Sequence, residues 1–165
     1  MNEQAARGPA GEQDEWTTRA VRAAIGDRAI WLGLLYRAFS EALPESEVER
    51  LARKAMFEYG RLRAKRDPAD FTPHTWPEVH VASRADKVFA STIEKGEGYA
   101  VQNMHHCPLV AGWKEMGCSD DEIRRLCDIS TEGDRGRAQA NGIAMEMEER
   151  ISRGDKACKL RLFER

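Results

Sequence analysis

The sequence predicts an α+β fold: an N-terminal helical hairpin followed by a four-stranded antiparallel sheet that helices cover on one face. Two observations lead to this prediction. Between residues 15 and 64, apolar residues recur every three or four positions, the spacing of one helix face. From residue 87 onward, segments that alternate with a period of two are interleaved with helical segments, which is typical of a mixed domain.

The composition is that of one ordinary globular domain and excludes several classes of partner. The chain has 165 residues, of which 33% are charged and 41% hydrophobic, enough to bury a core. A net charge of −2 argues against nucleic acid as a partner, because phosphate binding needs a clustered basic surface. No apolar run reaches the roughly 18–20 residues of a membrane helix, and no signal-peptide pattern opens the chain. We therefore expect a cytoplasmic protein without nucleic-acid or membrane partners.

The N-terminal part is predicted to hold a tail and two helices. Residues 1–14 lack an apolar period and are predicted to be disordered, which leaves 15–165 as the single domain. The first helix ends at Pro44, and Ser46 with Glu49 forms a capping-box pattern for the second. The apolar face of the first helix is predicted to be core, and consists of Trp31, Leu34, Leu35, Ala38, Phe39 and Ala42.

Residues 65–86 contain three prolines and no period, so they are predicted to form a long loop between the two halves. This loop is either a lid or a plain connector, and His74 and Trp76 are its candidates for contact with a ligand.

The C-terminal half, residues 87–165, is predicted to begin with a hairpin: a strand from Lys87, a turn at Gly96–Gly98 and a return strand over 99–106. Three helices follow, from Pro108 to Gly117, a short one capped by Ser119 and Glu122, and a weaker one over 131–140. A closing hairpin of 143–151 and 156–163 completes the sheet.

Candidate site residues gather where the return strand runs into the Pro108 helix. Alternation places Asn103, His105 and Cys107 on one face, which we expect to be the covered one, while His106 points the other way. Cys158 shares the buried face of the last strand and is expected to line the same cavity. Cys107 opens a helix beside two imidazoles, and both features lower the pKa of a thiol.

Structural roles remain open for each of these residues. A buried cysteine is often a small apolar side chain, and the four cysteines of a cytosolic chain are expected to be reduced. His105 fits a hydrogen-bonded core histidine equally well, Asp155 fits the cap of a turn, and Asp134 fits a solvated helix face.

Several short motifs in one order resemble the L-2-amino-thiazoline-4-carboxylate hydrolase family over residues 85–165. They are Cys107-Pro108, the Trp-Lys-Glu-Met-Gly helix that follows, Leu126-Cys127-Asp128, and Gly154-Asp155-x-x-Cys158. The resemblance implies hydrolytic opening of a cyclic amidine, the thiazoline ring, toward a carbamoyl-cysteine. The expected activity is therefore cleavage of a C–N bond in a small cyclic amidine or amide, without a cofactor.

In this hypothesis Cys107 attacks as a thiolate or holds the substrate while water attacks. His105 or His106 carries the proton, and a carboxylate, Asp134 or alternatively Asp155, orients it. The predicted substrate-binding residues are Asn103, Cys158, Trp113 and Trp76.

The closing Gly-Asp-x-x-Cys hairpin is also similar to 4-vinyl-reductase-type small-molecule-binding domains. Those domains often carry a second cysteine eight residues earlier, where this chain has Arg150, and the difference weakens a metal site. Two alternatives therefore stay open: a non-enzymatic binding or sensory domain, and a metal-dependent hydrolase that uses Cys107, Cys158 and a histidine. A homo-oligomer is also left open.

Overall fold

The computed structural model describes residues 10–164, and the predicted α+β class is confirmed. In chain order the elements are α1 (Ala10–Ala42), α2 (Glu45–Ala64), α3 (Thr75–Ala82), α4 (Ala85–Phe89), β1 (Ser91–Gly96), β2 (Tyr99–Met104), α5 (Pro108–Glu115), α6 (Asp120–Ala140), β3 (Ile143–Met147) and β4 (Cys158–Glu164). A single 3-10 turn, Ile151–Arg153, lies between β3 and β4. Among the described residues, no helix is both long and apolar enough to cross a membrane.

The strands form one antiparallel sheet in the order β1-β2-β4-β3, so the two hairpins lie side by side. In the central pair, Gln102 lies opposite Leu160 and Met104 lies opposite Cys158. Gln102 and Leu160 are only 1% and 3% exposed, which identifies their side of the sheet as the covered one. The covered face of β2 thus carries Ala100, Gln102 and Met104.

The prediction that Asn103, His105 and Cys107 share the covered face is therefore wrong. Asn103 lies on the outer side of the sheet, where its Nδ2 donates to Glu94 Oε1 at 3.2 Å. His105 is exposed, with Nε2 3.2 Å from Thr92 Oγ1. The two faces of β2 each carry some apolar residues. The sequence pattern therefore could not show which face the pairing with β4 would bury.

The helices pack in two pairs, α1 on α5 and α2 on α6. Trp113 of α5 is fully buried, and its Nε1 donates to the carbonyl of Ala29 in α1 at 2.8 Å. The crossing of α2 and α6 depends on glycine, because a Cβ on Gly60 would lie 1.9 Å from the carbonyl oxygen of Gly133. α1 and α2 are thus helices of two different pairs, with few mutual contacts beyond their connection.

Several predicted boundaries are corrected. The segment 65–86 is not one loop, since it contains α3 and the first two residues of α4, and β1 begins only at Ser91. The two helices expected over 119–140 are one continuous helix, α6, whose capping box of Ser119 and Glu122 is confirmed. α2 begins at Glu45 without the predicted Ser46 cap. Of the predicted tail, 1–9 lie outside the described residues, whereas 10–14 belong to α1.

The apolar face of α1 is not the core that the sequence pattern predicted. Trp31 is 69% exposed, Phe39 53%, Leu34 51% and Leu35 42%, although they share one face of a long helix. The face that packs against α5 instead contains Ala29 and other small or aromatic residues on the opposite side. A helical period identifies an apolar face but not what covers it.

Candidate functional site

Three thiols from three elements lie near one another in the interior. Cys107 occupies the N-cap position of α5, Cys127 lies on α6, and Cys158 is the first residue of β4. They are close enough that negative charge on Cys158 or Cys127 would raise the pKa of Cys107. The sequence analysis brought Cys107 and Cys158 together. It quoted Cys127 only within the Leu126-Cys127-Asp128 motif and did not place it at the site, because spacing alone does not show which elements α6 meets. We call this group the thiol centre.

Burial raises the pKa of the Cys107 thiol to about 12, and the backbone amides of Val110 and Leu109 oppose this only in part. The lowered pKa expected from the helix N-terminus and the neighbouring histidines is therefore wrong for the protein without a ligand. Burial likewise raises the pKa of Cys158, whose sulfur accepts a hydrogen bond from the Ile151 amide at 3.3 Å. Both thiols are neutral at pH 7.

A buried arginine lies beside the thiol centre. The Arg150 side chain is 6% exposed, its Nη1 donates to Asp128 Oδ1, and its charge acts on the Cys158 thiol. Its Nε and the hydroxyl of Ser152 are buried and have no hydrogen-bond partner within residues 10–164. A buried donor without a partner costs about 1–3 kcal/mol, so this corner of the interior has capacity for an added acceptor.

Asp155, the other motif residue of this corner, serves the local turn. Its Oδ2 accepts from the Arg150 backbone amide at 2.8 Å. This contact is the turn-capping role that the sequence left open, and it positions the chain immediately before the 3-10 turn. Asp155 thereby supports Arg150 and Ser152 through the backbone.

Three further residues of the predicted site are partly or fully buried. His106 is half-buried, and burial, helped by the charge of Arg22, lowers the pKa of its imidazole. Asp134 is partly buried on α6, and burial raises the pKa of its carboxyl. Trp76 is 3% exposed and lies 4.4 Å from the Arg137 guanidinium, measured to the ring centroid.

His80, which the sequence analysis did not select, forms a second polar cluster on the covered face of the sheet. Its Nε2 lies 2.8 Å from Gln102 Nε2 and 3.2 Å from Ser91 Oγ. Burial lowers the pKa of this imidazole to about 4. Gln102 Oε1 is buried without a partner among the described residues. Only the fold brings these residues together, because they come from α3, β1 and β2.

Within residues 10–164, no group of three histidine, cysteine, aspartate or glutamate side chains has a geometry that would hold a metal ion.

These features define a small α+β domain with an internal thiol centre next to a buried arginine. The chain belongs to the L-2-amino-thiazoline-4-carboxylic acid hydrolase family, whose model matches residues 22–162. The match extends the resemblance from residues 85–165 to the N-terminal helices as well. Comparison with curated proteins gives no match.

A solved structure with a similar fold is trafficking protein particle complex subunit 3 from Naegleria fowleri, covalently bound to palmitic acid. It is 11% identical in sequence with a TM-score of 0.55, and the alignment covers 87% of this chain and 96% of that one. At 11% sequence identity, the similarity between the two proteins extends to the fold alone.

Proposed function

We propose that this protein is a hydrolase that opens a C–N bond of a small cyclic amidine or amide, using the thiol centre as its active site. Family membership supports the reaction class. The observation that carries the choice of site is the buried donor pair of Arg150 Nε and Ser152 Oγ, unpartnered among residues 10–164 and beside Cys158. A site with spare donors next to a nucleophilic side chain is suited to a small acidic substrate.

The first step is binding of the substrate carboxylate. The family's named substrate, 2-amino-thiazoline-4-carboxylic acid, carries one carboxyl group on its ring. Arg150 Nε and Ser152 Oγ each donate a hydrogen bond to this carboxylate, while Arg150 Nη1 remains paired with Asp128. The bound carboxylate gives a hydrogen-bond partner to each of these two donors. Its recognition does not require Arg150 to leave its ion pair with Asp128.

The second step is attack by Cys107. Since this thiol is neutral in the free protein, its proton passes to the basic ring nitrogen of the bound amidine rather than to a histidine. The Cys107 sulfur then bonds to the protonated amidine carbon. The ring C–N bond breaks as the exocyclic amino group forms a C=N bond and passes one of its protons to the ring nitrogen, which leaves as a primary amine. The amides of Val110 and Leu109 stabilise the transient thiolate. Water next adds to the same carbon, and Cys107 departs with a proton, leaving a carbamoyl group on the product.

The test is conversion of 2-amino-thiazoline-4-carboxylate to a carbamoyl-cysteine, followed by mass spectrometry. We expect the Cys107→Ala variant to lose turnover by about 10³-fold or more, because water alone must then attack. The matched control is Cys118→Ser, whose thiol lies outside the centre and contacts Arg37 Nη2 at 3.7 Å. Full activity of Cys107→Ala would end the nucleophile proposal.

A second candidate function is a non-enzymatic small-molecule-binding domain. It is favoured by the neutral, buried state of Cys107, and by the solved structure of similar fold that holds a covalently bound fatty acid. Binding of the thiazoline carboxylate by calorimetry, with no product after prolonged incubation of the wild-type protein, would select this function over hydrolysis.

A further inference from the structure

The covered face of the sheet carries a buried amide whose oxygen has no partner. Gln102 is 1% exposed, and its Oε1 accepts no hydrogen bond from any residue in the described part of the chain, 10–164. An unpaired acceptor in the interior costs free energy, because it has lost its hydrogen bonds to water and gained none in return. A ligand that supplies a donor to this oxygen would therefore gain a hydrogen bond at a position that is already desolvated.

The neighbours of Gln102 determine which end of its amide is unpaired. Burial lowers the pKa of the His80 imidazole to about 4, so the ring is neutral at pH 7, and its hydrogen bond with the backbone of Ala85 favours a hydrogen on the ring. A neutral imidazole carries one hydrogen, so the nitrogen that faces Gln102, Nε2, is an acceptor. Gln102 Nε2 accordingly donates to His80 Nε2 at 2.8 Å, and it also lies 3.5 Å from Ser91 Oγ. The group that is missing at Oε1 is thus an N–H or O–H donor.

Gln102 lies next to the thiol centre on the same face of the sheet. It pairs with Leu160 across the two central strands, and the next pair on this face is Met104 with Cys158. Diagonal neighbours of this kind, such as Gln102 and Cys158, lie about 7–8 Å apart. A single five-membered ring with its substituents spans such a distance, so one small ligand can contact the thiol centre and Gln102 at the same time.

We propose that Gln102 Oε1 accepts a hydrogen bond from the exocyclic amino group of the substrate, which makes Gln102 a specificity-determining residue of the site. This inference rests on the proposed function. Buried unpaired atoms then match the substrate at both of its ends: the donors Arg150 Nε and Ser152 Oγ suit its carboxylate, and the acceptor Gln102 Oε1 suits its amidine. The two ends cannot exchange places, because a carboxylate has no hydrogen to donate. The ligand class is a small ring with an acid at one end and an N–H donor at the other.

The hydrogen bond to Gln102 also fits the proton transfers of the reaction. When the Cys107 proton moves to the ring nitrogen, positive charge spreads onto the exocyclic amino group, and its hydrogen bond to the amide oxygen becomes stronger. One hydrogen of the amino group then passes to the ring nitrogen as the ring opens, and the other stays bound to Gln102. Gln102 therefore stabilises the charged amidine more than the neutral one, which is the kind of difference that raises a rate.

Methionine side chains provide the room that such a ligand needs. Met104 follows Gln102 on the covered face of β2 and is only partly buried, and it packs against the same apolar core as Met145 and Met147. Methionine is unbranched and flexible, so it adapts to irregular spaces. The ring can therefore be accommodated between the thiol centre and Gln102 by rotation of side chains, without movement of the strands.

The experiment compares two ring acids that differ in one group, 2-aminothiazole-4-carboxylate and 2-methylthiazole-4-carboxylate. Both rings are aromatic and resist opening, so calorimetry measures binding to the wild-type protein without turnover. We expect the amino compound to bind at least about tenfold more tightly, because the methyl compound leaves Gln102 Oε1 unpaired. Gln102→Leu should bring the two dissociation constants to within about threefold of each other. The matched control is Gln139→Leu, the same exchange at an exposed glutamine of α6, which should keep the full preference.

A measurement on the wild-type protein covers the case in which Gln102→Leu does not fold, which circular dichroism would reveal. In the NMR spectrum, the side-chain carbonyl carbon of Gln102 should move downfield on saturation with the amino compound and not with the methyl compound, because a hydrogen bond to the oxygen deshields that carbon. A resonance that responds to both compounds alike contradicts the inference.

Three outcomes of the binding study overturn the inference: equal affinity of the two compounds for the wild-type protein, an unchanged preference in folded Gln102→Leu, and no binding of either compound at millimolar concentration. The turnover assay separates these from failure of the proposed function. If the thiazoline is hydrolysed while the two thiazole acids bind alike, hydrolysis stands and the role of Gln102 is wrong. If the wild-type protein prefers the amino compound through Gln102 but leaves the thiazoline intact, the inference stands and hydrolysis is wrong.

Discussion

Arg137 and Asp67 form a buried ion pair that joins the end of α6 to the segment after α2. Arg137 Nε lies 2.9 Å from Asp67 Oδ2 and 3.1 Å from Oδ1, and the two side chains are 8% and 4% exposed. The guanidinium also lies 4.7 Å from the centroid of Phe71 and 4.4 Å from that of Trp76. This one contact thus fixes both the Phe71 segment and α3, the part of the chain that the sequence predicted to be a loop.

Removal of the guanidinium is expected to destabilise the fold strongly. Arg137→Met should lower the free energy of unfolding by about 3–5 kcal/mol, because it leaves the Asp67 carboxylate buried without its counter-charge. Combining it with Asp67→Leu should recover a large part of this loss. Urea unfolding followed by circular dichroism measures both variants.

The control for this pair is Arg61→Met, which removes an exposed ion pair with Glu58 and should change stability by less than about 1 kcal/mol. A loss below about 1 kcal/mol for Arg137→Met would show that water or a local shift satisfies Asp67. The stacked position of Trp76 could then no longer be attributed to the ion pair.

His80 is expected to make stability depend on pH. In the folded state burial lowers the pKa of its imidazole to about 4, while the unfolded chain has the ordinary value of about 6.5. As pH falls below 6.5, the unfolded state takes up a proton that the folded state refuses. Stability that is fully present above pH 6.5 is therefore lost progressively down to about pH 4, by about 1–2 kcal/mol after allowance for partial solvent contact.

Comparison of variants isolates this contribution. The difference in unfolding free energy between wild type and His80→Gln should change between pH 6.5 and 4 and stay constant above pH 7. His105→Gln, at an exposed imidazole on the outer face of the sheet, serves as the control. A difference that does not change with pH would place His80 in contact with solvent.

Local signals in the sequence predicted the ends of helices better than the faces of strands and helices. Pro108 and the Ser119–Glu122 capping box gave the starts of α5 and α6 because proline geometry and a capping hydrogen bond act within one turn. Which face of β2 is buried depends on its register with β4, and that register is a long-range property. The exposure of Trp31 depended on where α5 lies.

The same distinction holds for the candidate site. Alternation along the two strands predicted that Cys107 and Cys158 line one cavity, and the two thiols do lie near each other, although Cys107 lies at the start of α5 rather than on β2. The charge state of Cys107 was predicted in the wrong direction, because burial outweighs the effect of a helix N-terminus and burial is a property of the whole fold. Arg150 entered the sequence analysis only as a missing cysteine, and its ion pair with Asp128 could not be read from spacing.

The neutral Cys107 thiol is expected to react slowly with alkylating reagents. A pKa of about 12 leaves about one thiol in 10⁵ ionised at pH 7, so iodoacetamide should modify Cys107 far more slowly than a free cysteine. The rate should rise about tenfold for each pH unit up to about pH 10. Peptide mass mapping of the time course measures each cysteine separately. Rapid alkylation at pH 7 would restore the lowered pKa that the sequence predicted.

Arg150 is expected to act on the carboxylate of the substrate, and a matched pair of substrates separates this role from a structural one. Arg150→Gln should raise KM for the thiazoline carboxylate by at least tenfold while changing kcat less, because a charged hydrogen bond contributes about 1.5–3 kcal/mol to binding. The corresponding carboxamide should bind wild type and variant about equally. Asp128 keeps Arg153 as a partner at 3.4 Å, so the substitution does not strand its charge. A variant that loses activity on both compounds alike would assign Arg150 to the fold and remove it from the proposed site.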